Sequence, residues 1–189
     1  MITFGRKINF IPLSISIIFS LIIFFILDMT LTLASPLFTP YATAGGIIVF
    51  LLMTLAYYPT QLPYLCDYYE INKDHIRFYN FNNYWQKVKF VFMGTKSPMS
   101  MIKTSAIKKA EIYGDDKILQ MPAVATDLWV TWLFINKVSI IKNPYGIKLT
   151  LDDGNTVKIS ATWNKIRDPK KTVAQVNEAL ELINQNIIK

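Results

Sequence analysis

Two long apolar runs separated by a short connection dominate the first third of the chain. The first run extends from Ile8 to Ala34 and the second from Tyr41 to Leu65, with residues 35–40 between them. A helix needs roughly 20 apolar residues to cross a bilayer, and both runs are long enough. A secretory signal has an apolar centre of only about 7–15 residues, so we interpret the first run as an uncleaved helix. The pattern predicts a two-helix transmembrane hairpin in residues 1–66.

The basic residues around the two runs predict how the hairpin is oriented. Arg6 and Lys7 precede the first run, the connection carries no charge, and lysines follow the second run. Basic flanking residues favour the cytoplasmic side of a membrane. We therefore expect a multi-pass protein of the cell membrane with both termini in the cytoplasm and residues 35–40 outside.

Asp28 is the only charged residue inside the two runs. An ionisable group inside a membrane helix can mark an ion or proton pathway. Asp28 would lie roughly 27 Å along the first helix, however, which favours a carboxylate at the outer headgroups. On the second run, Gly45 and Gly46 predict a close helix–helix contact because glycines let two backbones approach. Two helices with so few polar positions predict an anchor, whereas a pore would need an oligomer.

The periodicity changes after Cys66, where short alternating segments predict a domain over residues 67–189. The hairpin at Ile147–Ile159 is the clearest, because its Asp-Gly pair supplies the positive φ angles that a tight turn needs. Asp168 and Pro169 predict the start of a C-terminal helix whose apolar residues recur three and four apart. The other predicted strands are Tyr68–Ile71, Ile76–Tyr79, Gln86–Met93, Ser100–Lys103 and Ile107–Tyr113. Short strands closed by one helix favour a small antiparallel barrel or sandwich.

The aromatic stretch Leu128–Ile135 has three possible interpretations. It can form one or two buried strands, or it can dip into the bilayer with Trp129 and Trp132 at the headgroups. A third membrane helix is disfavoured, because it would have to place the charged side chains of Asp127 and Lys137 in the bilayer.

Composition and charge narrow the functional classes. The chain has 52% hydrophobic and 17% charged residues and a formal net charge of +7. A basic domain beside a bilayer has anionic headgroups as its nearest electrostatic partner, and no other feature favours nucleic acid. The single cysteine, Cys66, excludes an intramolecular disulfide, and it could be a plain thiol or an acylation site.

No catalytic motif accompanies this architecture. The sequence has no Gly-x-Ser-x-Gly elbow, no phosphate-binding loop and no Gly-x-Gly-x-x-Gly fingerprint. The single histidine, His75, lies in a predicted turn, and metal ligands are scarce. We therefore expect no enzyme activity, no cofactor and no metal site.

The layout resembles bacterial membrane proteins with a pleckstrin-homology-like (PH-like) domain, including the YdbT-type and EbsA-like proteins of Gram-positive bacteria. The resemblance rests on the N-terminal hairpin and on Tyr69–Phe78, Thr104–Ile112, Gly146–Ile159 and the C-terminal helix. It implies a membrane α-helical hairpin plus an α+β domain, with a bent antiparallel barrel of about seven strands capped by the helix. Some proteins that resemble this family accompany bacteriocin genes and protect the producer.

The leading hypothesis is a non-enzymatic membrane protein whose PH-like domain binds anionic lipid headgroups or another membrane protein. The alternative is an immunity protein against a membrane-active bacteriocin. The expected lipid or partner site combines two tryptophans with basic residues: Trp129, Trp132, Lys103, Lys108, Lys109, Arg167, Lys170 and Lys171. Each basic residue near an anionic leaflet contributes about 1 kcal/mol.

Overall fold

The computed structural model describes residues 1–33, 35, 37, 39–115 and 144–187. The chain forms two compact units. The hairpin unit comprises Ile8–Pro63 and Phe81–Ser97, and the sheet unit comprises Met1–Lys7, Tyr64–Asn80 and Pro98–Lys189. This division differs from the predicted boundary after residue 66, because residues 1–7 belong to the sheet unit and residues 81–97 to the hairpin unit.

Two long helices form most of the hairpin unit. Helix α1 spans Ile11–Thr32, and a continuous second helix runs from Thr39 to Leu65. Both are long and apolar enough to cross a membrane, and most of their surface is exposed. The second helix has three parts, which are α2 (Thr39–Leu51), a π-helical segment (Leu52–Tyr57) and α3 (Tyr58–Leu65).

The π-helical segment ends two residues before Pro59. A proline ring clashes with the carbonyl four residues earlier, here that of Leu55, and it offers no N–H. Widening the preceding turn relieves such a clash. Pro63 lies inside α3, so the second helix continues past both Pro59 and Pro63.

A third helix, α4 (Tyr84–Met93), completes the hairpin unit. The predicted strand at Gln86–Met93 is therefore wrong. The Asn83 side chain caps the helix by accepting a hydrogen bond from the Trp85 amide at 3.0 Å. The alternation that suggested a strand arises because α4 carries apolar residues on two faces, with Phe90 buried and Phe92 exposed.

Four short strands form the first sheet of the sheet unit, in the order β1-β2-β3-β4. They are β1 (Ile2–Phe4), β2 (Tyr69–Ile71), β3 (His75–Phe78) and β4 (Ser100–Lys103), all antiparallel. The sequence predicted β2, β3 and β4 within a residue, but it assigned no strand to residues 1–7. His75 begins β3 instead of lying in a turn.

Three strands form the second sheet, in the order β5-β6-β7. They are β5 (Ile107–Tyr113), β6 (Gly146–Leu151) and β7 (Thr156–Ser160). The predicted hairpin is confirmed, since β6 and β7 pair from Gly146↔Ser160 to Thr150↔Thr156. Gly154 in its turn has φ +83°.

Two helices follow, α5 (Thr162–Arg167) and α6 (Pro169–Ile187). The predicted cap of α6 is confirmed, because the Asp168 carboxylate accepts a hydrogen bond from the Lys171 amide at 3.1 Å. Val176, Ala179 and Ile183 of α6 are buried in a core that both sheets share. In the described residues the strands form two open sheets of four and three strands, not the single closed barrel that was expected.

Candidate membrane-proximal site

In the sequence, the hairpin lies between β1 and β2, which are neighbouring strands of the first sheet. Phe4 of β1 pairs with Tyr69 of β2, so the chain leaves and re-enters the sheet unit at the same strand ends. The Gly5 amide donates a hydrogen bond to Asn164 Oδ1 of α5 at 2.7 Å, which brings α5 to this position. We call the surface formed by residues 5–7, 66–70 and 160–167 the attachment edge.

Three basic side chains at the attachment edge lie over aromatic rings. The Arg6 guanidinium lies 5.1 Å from the Trp163 ring centroid, and Lys7 Nζ lies 4.9 Å from that of Tyr68. Lys165 Nζ lies 4.5 Å from the Tyr145 ring and also donates to the Asp115 carbonyl. Cation–aromatic contacts of this kind contribute about 0.5–2 kcal/mol each, depending on exposure. The edge is therefore a pre-ordered array of cations.

Lys7 also makes an ion pair with Glu70. Its Nζ lies 3.0 Å from Glu70 Oε1, and Tyr68 donates to the same oxygen at 3.1 Å. The hydrogen bond to Glu70 raises the pKa of Lys7, and the bond from Lys7 lowers the pKa of Glu70. Because the Lys7 side chain is 59% exposed, the pair contributes at most about 1 kcal/mol to stability. The charge of Lys7 is thus largely compensated within the protein.

Besides the buried Glu70, the attachment edge contains a second carboxyl group, Asp67. Burial raises its pKa to about 7, although hydrogen bonds with Tyr69 and Ser160 act in the opposite direction. The Tyr69 hydroxyl also donates to the Lys158 carbonyl at 2.8 Å, which ties β2 to β7. Burial next to Asp67 raises the pKa of Tyr113 to about 12. Asp67 therefore changes its charge near neutral pH.

Cys66 immediately precedes Asp67 and is fully buried. Burial raises the pKa of its thiol to about 12. A thiol that is both protonated and enclosed is a poor nucleophile. This environment favours the plain structural thiol over the acylation site.

The structure separates the predicted basic residues into two groups. Lys103 pairs with His75 at the end of β3 opposite Phe78, while Lys108 and Lys109 begin β5. These three lie at strand ends away from the attachment edge, and Lys109 Nζ pairs with Glu111 at 2.6 Å. Arg167 ends α5, and Lys170 and Lys171 lie in the first turn of α6. All six are exposed.

The predicted tryptophans Trp129 and Trp132 lie outside the described residues. The flanking residues are described, and there Gly114 has φ +89° and packs against the Pro144 carbonyl. A Cβ at residue 114 would overlap that oxygen, so glycine is required for the two flanks to meet.

The predicted glycine pair faces α1. The Ser20 hydroxyl donates to the Gly46 carbonyl at 2.7 Å. A Cβ at Gly46 would lie 3.1 Å from Phe24 Cβ and 3.2 Å from the Ser20 carbonyl oxygen. At Gly45 it would meet the end of the Leu27 side chain. The two backbones approach closely only because both positions lack a side chain.

Sequence reasoning did not bring Trp163, Lys165 and Asp67 together in one site. Arg6 and Lys7 were used only to orient the hairpin, because no signal showed that residues 2–4 form a strand beside β2. The three-residue strand is too short for alternation to identify it. Contacts that join residues 6 and 163 leave no local pattern.

No family model, curated protein or solved structure matches this chain. Within the described ranges, no cluster of three or more His, Cys, Asp or Glu residues could hold a metal ion. The PH-like resemblance and the bacteriocin-immunity alternative therefore stay predictions.

Proposed function

We propose that this chain is a non-enzymatic integral membrane protein whose sheet unit is a PH-like domain that binds anionic lipid headgroups. The observation that carries the proposal is the insertion of the apolar hairpin between the paired strands β1 and β2. If the hairpin crosses the bilayer, the two chain connections through which it joins the sheet unit, after Lys7 and before Cys66, belong to or adjoin the attachment edge in sequence. Seven described strands and a closing helix α6 agree with a PH-like domain, although the two sheets are open.

The chemistry of the attachment edge supports a lipid ligand. Lysine, arginine and aromatic side chains are the residue types that membrane–water interfaces favour. Arg6 and Lys165 are held over aromatic rings, so little side-chain entropy would be lost on binding a phosphate. Each such charge near an anionic leaflet contributes about 1 kcal/mol, or roughly a fivefold gain in affinity.

The proposal is tested with the full chain in a neutral detergent and a short-chain phosphatidylglycerol as the probe. Isothermal titration calorimetry should detect binding that weakens with added salt, and short-chain phosphatidylcholine should not bind. The double variant Arg6→Gln, Lys165→Gln should lose about 30-fold in affinity. The matched variant Lys103→Gln, Lys108→Gln removes two exposed charges far from the attachment edge and should bind within about twofold of wild type.

Two results would overturn this proposal. Equal weakening in both double variants would mean that the net charge, not the attachment edge, attracts the lipid. Absence of phosphatidylglycerol binding at low salt would reject the lipid ligand and favour a protein partner.

The proposed orientation is tested by cysteine labelling in cells. In a Cys66→Ser background, Leu37→Cys should react with a membrane-impermeant maleimide because residue 37 is 82% exposed in the connection between the helices. Lys170→Cys, in the exposed first turn of α6, should react only after lysis. The reverse result would place the sheet unit outside.

A further inference from the structure

Helix α4 presents a second surface that the proposed headgroup site does not use. Within the hairpin unit, its buried side is formed by Val88, Phe90 and Val91. Its other side exposes Trp85 by 70% and Phe92 by 43%. These two residues are seven apart, and Lys89 lies between them, so all three share one face of the helix. A short helix that is apolar on both sides can bury its second side against another apolar surface besides the one it packs on.

The contacts of α4 fix its level along the two long helices. The Tyr84 hydroxyl donates to the Leu55 carbonyl, and the Phe92 ring lies 6.5 Å from that of Phe50. At its C-terminus, Gly94 packs against the ring of Phe10, which precedes α1.

Because Gly46 faces Ser20, the two long helices are antiparallel, and Phe10 and Leu55 belong to the same end of the hairpin. Helix α4 therefore lies at the end away from Thr32 and Thr39.

The segment that contains α4 has charges of one sign only. Residues 81–97 contain Lys87, Lys89 and Lys96 and no acidic residue, so they carry +3 of the formal net charge of +7. Exposed aromatic residues interleaved with lysines are the composition of helices that lie in the plane of a membrane interface. Such helices bury their apolar face roughly 5–10 Å below the headgroups, while lysines extend their ammonium groups to the phosphates.

We infer that α4 is an interfacial helix that inserts Trp85 and Phe92 into the same leaflet as the ends of the hairpin and holds anionic headgroups with its three lysines. The inference rests on the proposed membrane insertion of the hairpin, but not on headgroup binding by the sheet unit. The occupant of this face is the lipid bilayer, because the helix to which α4 is attached is the one proposed to cross it. The negative charge of an anionic leaflet also complements the three lysines of this segment.

The four tryptophans of the chain allow a direct depth measurement. A variant with Trp129, Trp132 and Trp163 changed to Phe keeps Trp85 as its only indole. Reconstituted in phosphatidylglycerol–phosphatidylcholine vesicles, Trp85 should be quenched by lipids brominated near the carbonyl end of the acyl chain. It should be quenched less by lipids brominated near the terminal methyl, and little by aqueous iodide. Quenching by iodide without quenching by either brominated lipid would overturn the inference.

A reference variant separates this inference from the proposed function. In a background without tryptophan, Leu21→Trp places the indole at the exposed middle of α1 and should be quenched most by deeply brominated lipid. If it is not quenched, the hairpin does not insert, and both the proposed function and this inference fail. If Leu21→Trp is quenched and Trp85 is not, only the inference fails. If Trp85 is quenched but the wild-type chain, with Trp163 intact, does not bind phosphatidylglycerol, only the headgroup site is rejected.

The lysines are tested with an anionic lipid that carries a nitroxide quencher on its acyl chain near the headgroup. The variant Lys87→Gln, Lys89→Gln, Lys96→Gln should halve or more than halve the quenching of Trp85 by this lipid. The matched variant Lys103→Gln, Lys108→Gln, Lys109→Gln should leave the quenching unchanged. Equal loss in both variants would overturn the charge assignment. If a second copy of the chain covers Trp85, dilution with lipid will increase quenching, which would overturn the bilayer as the occupant.

Discussion

The hydroxyl of Tyr84 donates a hydrogen bond to the carbonyl oxygen of Leu55, which lies four residues before Pro59. In a regular α-helix the donor for Leu55 would be the N–H of residue 59, which is a proline. A side chain from α4 thus satisfies a backbone group that the sequence of the second helix leaves without its usual partner. This contact joins α4 to the second helix.

Replacing Tyr84 by Phe should therefore destabilise the hairpin unit by about 1 kcal/mol, the cost of leaving one carbonyl unsatisfied away from water. Unfolding in mixed micelles of neutral detergent and dodecyl sulfate measures this difference. In a Pro59→Ala background residue 59 regains its N–H, so the same Tyr84→Phe change should cost less. Equal costs in both backgrounds would show that the hydroxyl does not act through Leu55.

Gly46 provides a second prediction, on the packing of α1 against α2. Gly46→Val should destabilise the hairpin by about 1–3 kcal/mol, because the added atoms would press on Phe24 and on the Ser20 backbone. Ala44→Val changes an exposed position of the same helix and is the control. Similar unfolding midpoints for the two variants in the mixed-micelle assay would refute close backbone contact at Gly46.

The apolar pattern predicted most of the helices and strands, for reasons that individual residues make clear. The hairpin at Ile147–Ile159 and the cap at Asp168 depend on local turn and cap chemistry, so the sequence predicted them correctly. Helix α4 was missed because its two apolar faces remove the 3.6-residue period on which helix prediction depends. Strand β1 was missed because its partner Tyr69 lies beyond the whole hairpin.

The residues of the candidate sites also divide into those that a local sequence pattern predicts and those that it does not. The glycine pair could be predicted because small residues mark close helix contacts wherever they occur. The basic residues were predicted from charge alone, and charge does not show which strand end a lysine occupies. Lys103 and Lys165 are therefore indistinguishable in the sequence, although they lie at different edges of the sheet unit.

The buried carboxyl of Asp67 predicts a pH-dependent stability. Its pKa of about 7 in the folded protein lies above the ordinary value of 3.8, so the folded state binds the proton more tightly than the unfolded state. The contribution of Asp67 to stability should then be largest below pH 3.8, fall as the pH rises from there to about 7, and stay constant above it. Asp67→Asn keeps the hydrogen-bond geometry without the charge and should stabilise the protein at pH 8 by on the order of 2 kcal/mol.

The matched control for this effect is Asp152→Asn, at an exposed turn position. Thermal unfolding of both variants at pH 5.5 and pH 8 measures the difference. The gain of Asp67→Asn should be smaller at pH 5.5, where wild-type Asp67 is already protonated. A gain that does not depend on pH would contradict titration of Asp67.

The burial of Cys66 predicts an unreactive thiol. Because its pKa is about 12, the thiol is protonated at pH 8 as well as enclosed. Labelling by a small maleimide should be slow in the folded protein and become complete on denaturation. The exposed Leu37→Cys in a Cys66→Ser background should react within seconds under the same conditions. Fast labelling of native Cys66 would show that this part of the chain opens readily.

The fit of strand β1 beside β2 depends on Gly5. This residue has φ +79°, and a Cβ would overlap the carbonyl oxygen of Asp67, which is a backbone atom that cannot rotate away. Gly5→Ala should therefore combine backbone strain with a steric clash and destabilise the sheet unit by on the order of 3 kcal/mol. Gly154→Ala has a similar φ of +83° but no atom within 4 Å, so it should cost only about 1 kcal/mol. Chemical denaturation measures the free energy of unfolding of both variants, and the difference between their losses is the part due to the clash. Equal destabilisation would mean that β1 does not pack beside Asp67, and the hairpin would then no longer be an insertion in the sheet.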